Sequence, residues 1–269
     1  MSTESAAPRE QWWGKYPLET DTGARWVLGP LRLGAQRLPG EVRISWRSAG
    51  GPEKAEIVSG SPCAESPHEE GAELTRFALE ETEVAVTLRP ILPDRAVVAR
   101  PDTTLWVLGR QRVDLFVSVP LWAELYLPGG PAPVLTVPSL RLSDTWFGPS
   151  PQEGELCYSS RTQARLDVAK LPQHPVRAVT RVTINNQRPT AIRVERIKLP
   201  TPLLGLYATP EHRFWTSSVE LRPANTDSAA SIHLRAPEGL ADDRFELISP
   251  PRRQQHANMF ERALSALVG

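Results

Sequence analysis

Apolar residues occupy every second position over a long central stretch of the chain, from Val113 to Leu127. The members of this set are Val113, Leu115, Val117, Val119, Leu121, Ala123, Leu125 and Leu127. Because successive side chains of a strand point to opposite faces, a period of two predicts a β-strand with one buried face. Pro120 lies in the opposite phase, so we expect it either to kink an edge strand or to end one strand before the next begins.

Shorter runs of the same kind cover most of the chain, and Gly, Pro and Asp residues separate them at short intervals. Many short strands with this punctuation are typical of a β-sandwich or barrel. The other candidate strands are 26–33, 41–46, 73–79, 83–88, 95–99, 104–108, 134–142, 155–168, 176–184, 191–199, 214–221, 230–234 and 245–248. The pattern therefore predicts an all-β fold.

Two of these candidate strands, 176–184 and 191–199, flank a turn-forming sequence at 185–189. This arrangement predicts two adjacent antiparallel strands. The apolar phase of the second strand shifts near Glu195-Arg196, which indicates a β-bulge at that point.

The Pro-Gly-Gly-Pro sequence at 128–131 is the best candidate for a domain boundary. We expect two packed β-sandwich-like halves, an N-terminal one at 11–128 and an immunoglobulin-like one at 129–250. We also expect a C-terminal α-helix at 251–269 that docks on them, because apolar residues recur there at helical spacing. That stripe consists of Phe260, Ala263, Leu264 and Leu267.

Composition narrows the possible function without identifying it. The chain has 27 prolines in 269 residues, which favours strands and turns over helices, and its net charge is zero. A neutral chain has no global basic field for nucleic acid, so no specific nucleic-acid partner is expected. The N-terminus lacks the apolar core of a signal peptide, and no apolar run reaches the length of a membrane span. A cytoplasmic protein with reduced thiols is the resulting expectation, with Cys157 buried and inert.

Catalytic and metal-binding signatures are absent from the sequence. There is no glycine-rich phosphate loop, no HExxH, no CxxC and no GxSxG. The five histidines lie far apart, so neither a metal site nor a cofactor is predicted. No catalytic residue is assigned, and the missing signatures argue against an enzyme without excluding one.

An aromatic loop, Ser143 to Pro149, offers one candidate binding site. Trp146 and Tyr158 could line a pocket in which Asp144 and Glu155 supply the polar groups. The alternative is structural: Trp146 and its neighbour Phe147 plug one end of a sandwich, while Asp144 forms an Asx turn.

A strong charge asymmetry offers a second candidate site. Residues 53–83 contain nine acidic and two basic residues, whereas residues 159–198 contain nine basic and two acidic ones. If the strands of the basic segment are neighbours, their guanidinium groups cover one outer surface that receives an anionic surface or a protein partner. The arginines concerned are Arg161, Arg165, Arg177 and Arg181. An ordinary solvated face is the alternative, and docking of the acidic segment from the same or another copy makes self-association possible.

Three segments resemble a prokaryotic family of uncharacterised proteins, domain of unknown function 432. They read PDTTLWVLGRQRVDLFVSVPLWAEL, LPGGPAPVLTVPSLRLSDTWFGP and GELCYSSRTQAR. The family carries no activity, cofactor or catalytic residues that could be transferred to this chain. Its members lie near small mechanosensitive channels in some genomes, so the resemblance implies a membrane-adjacent protein partner.

Two functions follow from these observations as expectations. The first is a non-catalytic binding or accessory module that uses the arginine-rich face or the aromatic loop. The second is a hydrolase or carbohydrate-active enzyme with a cleft formed by Asp144, Glu155 and Tyr158. These three side chains gathered in one concave pocket would favour the enzyme, whereas a flat arginine surface with Trp146 buried would favour the module.

Overall fold

A computed structural model describes residues 11–48, 55–62, 70–80, 83–148, 150, 152–168, 174–223, 231–237 and 244–254 of the chain. These residues form twenty-two β-strands and no α-helix, and their short helical element is a 3-10 turn at Thr201–Leu203. The prediction of an all-β fold is confirmed. Of the predicted C-terminal helix, residues 251–254 are not helical and the remainder lies outside the described residues.

The chain folds into two compact units that interleave along the sequence. The first unit comprises Met1–Ile91, Leu121–Arg141 and His174–Val176. The second comprises Leu92–Pro120, Leu142–Gln173 and Arg177–Gly269. Residues 128–131, the predicted boundary, lie within the first unit, and the division into halves at 11–128 and 129–250 stays a prediction.

The first unit contains two sheets whose neighbouring strands are all antiparallel. The four-stranded sheet has the order β1 (Gly14–Leu18), β7 (Val84–Ile91), β11 (Trp122–Tyr126) and β12 (Leu135–Pro138). The five-stranded sheet has the order β5 (Ala55–Pro62), β2 (Thr22–Leu28), β3 (Leu31–Leu38), β4 (Glu41–Ser48) and β6 (Glu73–Ala78). The predicted strand 26–33 is wrong as a single element, because the chain turns at Gly29, whose φ is 64°, and begins a new strand.

The second unit contains three sheets. A four-stranded sheet has the order β13 (Ser143–Phe147), β14 (Glu155–Thr162), β8 (Val97–Pro101) and β17 (Ile197–Leu199). A seven-stranded sheet has the order β21 (Ser231–Arg235), β20 (Ser218–Arg222), β15 (Arg177–Asn185), β19 (Phe214–Thr216), β18 (Leu206–Ala208) and β22 (Glu246–Ser249), and β10 (Arg112–Pro120) also pairs with β15. A two-stranded sheet joins β16 (Ile192–Val194) to β9 (Leu105–Val107). Parallel pairs occur between β14 and β8 and between β15 and both β19 and β20.

The central alternating stretch predicted its buried face correctly. Val117, Val119 and Leu121, three members of the apolar set, are fully buried. Pro120 ends β10, and Trp122 begins β11. Pro120 is therefore the point at which the chain leaves the second unit and enters the first.

The predicted antiparallel pair 176–184 and 191–199 is wrong. β15 pairs with β10, β19 and β20, while the second segment divides into β16, which pairs with β9, and β17, which pairs with β8. The phase shift at Glu195-Arg196 marks this change of sheet instead of a bulge in one strand.

Candidate functional site

The hairpin formed by β13 and β14 places three of the four predicted pocket residues on one face. In its register Asp144 lies opposite Tyr158, and Trp146 lies opposite Leu156. Residues directly opposite one another, and residues two apart along a strand, point to the same side of a sheet. Asp144, Trp146 and Tyr158 therefore share a face, whereas Glu155, an odd-numbered residue of β14, lies on the other one.

Trp146 is exposed, so the alternative in which both Trp146 and Phe147 plug one end of a sandwich is wrong for Trp146. Its exposed fraction is 44 %, and that of its cross-strand neighbour Leu156 is 47 %. Phe147, the next residue of the strand, is buried at 2 % exposure. Adjacent residues of a strand face opposite sides, so only one of these two aromatic rings can enter the core. Asp144 belongs to the strand and forms no Asx turn.

The turn of the hairpin holds the indole ring of Trp146 in place. Trp146 Nε1 donates a hydrogen bond to the backbone oxygen of Ser150 at 2.9 Å. Ser150 Oγ accepts hydrogen bonds from the backbone N–H groups of Gln152 at 3.3 Å and Glu153 at 3.0 Å. A Cβ atom on Gly154 would lie 2.7 Å from Trp146 Nε1, so the ring packs directly on this glycine. The half-exposed ring is therefore fixed against the turn.

Arg95 connects Asp144 and Tyr158 on the same face. Its Nη1 atom lies 3.2 Å from Asp144 Oδ1, and its guanidinium carbon lies 5.3 Å from the centre of the Tyr158 ring. The Tyr158 hydroxyl donates a hydrogen bond to Asp94 Oδ1 at 2.9 Å. Burial, together with this bond to a carboxylate, raises the pKa of Tyr158 to about 12. At neutral pH the phenol is thus a protonated donor and does not serve as a base.

On the opposite face of the hairpin, Glu155 forms an ion pair with Lys198 of β17. Cys157 is fully buried beside this pair, and its thiol donates a weak hydrogen bond to Glu155 Oε1 at 3.4 Å. Burial, followed by the charge of Glu155, raises the pKa of the Cys157 thiol to about 12. A thiol with such a pKa is a poor nucleophile at neutral pH, in agreement with the expectation that Cys157 is inert.

A cavity of about 340 Å³ lies in the second unit beside the hairpin. It is lined by Asp94, Arg95, Ala96, Glu155, Leu156, Lys198, Pro200, Pro202, Leu203, Ile232 and Arg253. Of the four predicted pocket residues, Glu155 belongs to this lining, whereas Asp144, Trp146 and Tyr158 do not. The described residues therefore do not gather Asp144, Glu155 and Tyr158 in one concave pocket.

The four predicted arginines divide between two sheets, because β14 and β15 are not neighbours. Arg161 is exposed on β14 of the four-stranded sheet, while Arg177 and Arg181 lie on β15 of the seven-stranded sheet. Arg165 forms an isolated bridge with Phe116, the residue of β10 that lies opposite Arg181. Arg165 and Arg181 thus flank Phe116, and Arg161 belongs elsewhere.

Arg177 and Arg181 are bound by side chains of their own sheet. Arg181 Nη2 lies 2.6 Å from Asp114 Oδ2, and Arg177 Nε donates to Ser118 Oγ at 3.1 Å. The Thr183 hydroxyl donates to Asp114 Oδ1 at 2.5 Å. Burial alone would raise the pKa of Asp114, but the bonds from Arg181 and Thr183 outweigh it and hold the pKa below its ordinary value. The positive charge of Arg181 is therefore largely compensated within the sheet.

Neither a metal-binding cluster nor a membrane-spanning helix is found among the described residues. They contain no group of three or more His, Cys, Asp and Glu side chains suited to a metal ion. No helix among them is long and apolar enough to cross a membrane. Much of the acidic segment 53–83 lies outside the described residues, so its docking on the arginines stays a prediction.

Sequence reasoning missed Arg95 and Lys198, the two basic residues that organise this region. Arg95 follows a Pro-Asp turn, and nothing in its neighbourhood separates it from the other 26 arginines of the chain. One feature of the sequence could have drawn attention to Lys198: it is one of only four lysines in a chain whose other basic residues are arginines. Both contact the hairpin through strand pairings that bring distant segments together.

Comparisons with known proteins give one match. A family model described as "Protein of unknown function (DUF432)" matches residues 12–267. No curated protein and no solved structure matches the chain significantly.

Proposed function

Since the chain belongs to the DUF432 family, whose description assigns no activity, we propose from its own surface that it is a non-catalytic binding module for a protein partner. The partner surface is the hairpin face, which we define as the side of β13 and β14 that carries Asp144, Trp146, Leu156 and Tyr158. The observation that carries the proposal is the side-by-side exposure of Trp146 and Leu156 on that face.

A tryptophan and a leucine that lie opposite each other on neighbouring strands form one apolar patch. Large aromatic side chains, tryptophan above all, contribute most of the binding energy at many protein interfaces. Both side chains are nearly half exposed, so a partner would remove substantial apolar area from water. A binding role thus accounts for an exposed patch that packing among the described residues leaves unexplained.

The hairpin face is also rigid, which favours binding. The hydrogen bond from Trp146 to Ser150 and the contact of its ring with Gly154 limit the rotamers of the indole. A side chain that is already ordered loses little conformational entropy when a partner covers it. The patch is therefore preorganised for contact.

Charged groups border the apolar patch. Arg95 and Asp144 form an ion pair whose side chains are 41 % and 60 % exposed. Exposed ion pairs contribute little to stability, whereas polar groups at the rim of an interface determine orientation and partner choice. We assign Arg95 and Asp144 this role at the edge of the hairpin face.

The arginine-rich face receives less support as the partner surface. Arg181 is paired with Asp114, and Arg177 is bonded to Ser118, so an anionic partner would have to compete with these groups. The hydrolase alternative receives no support, because its two carboxylates, Asp144 and Glu155, lie on opposite faces of the hairpin.

Partner capture from a lysate of the native organism tests the proposal. We expect Trp146→Ala combined with Leu156→Ala to lose proteins that the wild-type chain captures. Trp106→Ala is the matched control, because Trp106 is an even more exposed tryptophan of the second unit, at 59 %, and lies outside the hairpin face. If the double variant keeps its fold and still captures the wild-type partners, the hairpin face is not the partner surface.

A further inference from the structure

The cavity beside the hairpin has the composition of a small-molecule site. Its volume of about 340 Å³ falls within the usual range for such sites, about 300–1,000 Å³. Apolar side chains form the larger part of its lining. They are Ala96, Leu156, Pro200, Pro202, Leu203 and Ile232.

The charged residues of the lining leave positive charge available to a ligand. Three are basic and two are acidic. Asp94 accepts a hydrogen bond from the Tyr158 hydroxyl, Glu155 is paired with Lys198, and Arg95 is paired with Asp144 outside the lining. Within the described part of the chain, the guanidinium of Arg253 has no carboxylate partner. The acidic groups are thus engaged by the protein, while a basic group remains open.

Lys198 is the least exposed cation of this lining. Its side chain is 11 % exposed, and its ammonium group lies 5.5 Å from the centre of the Phe147 ring. An ammonium group has three N–H donors, and the described residues supply Glu155 as their one hydrogen-bonding acceptor. The face of the Phe147 ring attracts the cation but accepts no hydrogen bond from it. An enclosed N–H group without an acceptor costs folding free energy. Lys198 therefore has donor capacity for an acceptor inside the cavity.

Three separate segments bring these groups together. Arg95 follows β7, Lys198 lies in β17, and Arg253 follows β22. The backbone N–H of Arg253 donates to Pro202 at 2.9 Å, and the Thr201 hydroxyl donates to the backbone oxygen of Arg95 at 2.6 Å. These bonds fix the segments around the 3-10 turn, so the cavity is held open by the fold.

We propose that this cavity binds a small organic carboxylate, with its apolar body against the 3-10 turn and its carboxylate between Lys198 and Arg253. A single carboxylate suits Arg253, whose guanidinium has no carboxylate partner among the described residues, and it forms strong charge-assisted hydrogen bonds with ammonium and guanidinium groups. The apolar lining requires a ligand with a hydrocarbon part. The site shares Leu156 and Arg95 with the hairpin face and its edge, but benzoate binding requires no protein partner, so each proposal can fail without the other.

Titration of the full-length protein with benzoate, followed by ligand-observed NMR, tests this site. We expect saturable binding of benzoate and weaker binding of benzyl alcohol, which has the same ring without the charge. Lys198→Met should raise the dissociation constant for benzoate about tenfold or more, as loss of one charge-assisted hydrogen bond predicts. Glu155→Gln should lower it, because the ligand would no longer share Lys198 with a protein carboxylate.

Lys15→Met is the matched control, since Lys15 is an exposed lysine of β1 in the first unit, and it should leave the dissociation constant unchanged. If Lys198→Met fails to fold, Arg253→Gln serves the same purpose, because Arg253 is exposed. Equal affinity for benzoate and benzyl alcohol, or an unchanged affinity in the folded Lys198 or Arg253 variant, would overturn the proposal. Tighter binding of phenyl phosphate than of benzoate would overturn the choice of a carboxylate.

Discussion

Asn186 offers the sharpest test of how the second unit is held together. It is fully buried immediately after β15, and its side-chain amide joins two loops. Nδ2 donates to the backbone oxygens of Val107 at 3.1 Å, Leu108 at 2.9 Å and Thr190 at 2.9 Å. Oδ1 accepts the backbone N–H of Arg188 at 3.1 Å.

Replacement of Asn186 by Ala removes two donor hydrogens and one acceptor at once. A hydrogen bond contributes about 1 kcal/mol net, and each buried group left without a partner costs about 1–3 kcal/mol. Some of these backbone groups regain water because Leu108 and Thr190 are exposed. We therefore expect Asn186→Ala to lower the free energy of unfolding by about 3–5 kcal/mol, with a fall in Tm on the order of 10 °C.

Urea unfolding followed by tryptophan fluorescence measures this change. Asn186→Asp keeps the shape of the side chain but lacks the amide donors, so it should be destabilised at least as much. Asn185→Ala is the matched control, because Asn185 is partly exposed and its described bond is a long one, 3.3 Å to Glu220; it should lose about 1 kcal/mol or less. If Asn186→Ala lies within 1 kcal/mol of the wild type, the amide does not join the two loops as described.

Three further predictions concern burial and charge. Val117→Asp places a carboxylate in a fully buried position and should cost several kcal/mol in urea unfolding, whereas Leu74→Asp at a half-exposed position should change stability by less than about 0.5 kcal/mol. Burial alone would raise the pKa of Glu220, but hydrogen bonds from Arg222 and Asn185 hold it below the ordinary 4.5. The ionised carboxylate therefore stabilises the folded protein above that pKa, and this contribution is lost as the pH falls through it. On acidification, Tm should therefore drop further in the wild type than in Glu220→Gln. In a Cys63→Ser background, Ellman's reagent should detect Cys157 after denaturation and not before; rapid reaction of the native protein would contradict its burial.

The periodicity of apolar residues predicted which side chains are buried more reliably than which strands are neighbours. Val117 and Leu121 belong to the core because alternation follows directly from the geometry of a single strand. The same alternation continues through Pro120 although β10 and β11 belong to different units. A period of two carries no information about the partner of a strand, so the change of unit could not be read from it.

Strand pairing failed as a prediction where the chain connects distant segments. The turn-forming residues at 185–189 indicated a hairpin, but β15 instead lies between strands far away in the sequence. The phase shift at Glu195-Arg196 was a real signal, and its cause is a change of sheet between β16 and β17. Parallel pairs such as β14 with β8 are joined by long connections, so no turn-forming sequence between the strands indicates the pairing.

The candidate site was predicted in part. Asp144, Trp146 and Tyr158 were identified from the sequence, and the register of the hairpin places them on one face. The exposure of Trp146 was not foreseen, because which of two adjacent aromatics enters the core depends on the orientation of the strand. The role of Arg95 depends on its contact with Asp144 of β13, 49 residues away in the sequence. The pattern of neighbouring residues carries no information about such a distant contact.

Site-specific photo-crosslinking in cells of the native organism tests the central claim most directly. Leu156→p-benzoylphenylalanine places a photoreactive group at the centre of the hairpin face, whereas Leu74→p-benzoylphenylalanine places the same group at a similarly exposed position of the first unit, 49 % against 47 %. We predict a discrete crosslinked protein adduct at position 156 that disappears when Trp146→Ala is added, and no such adduct at position 74. Absence of an adduct at position 156, or an adduct that persists with Trp146→Ala, would contradict a partner bound on the hairpin face.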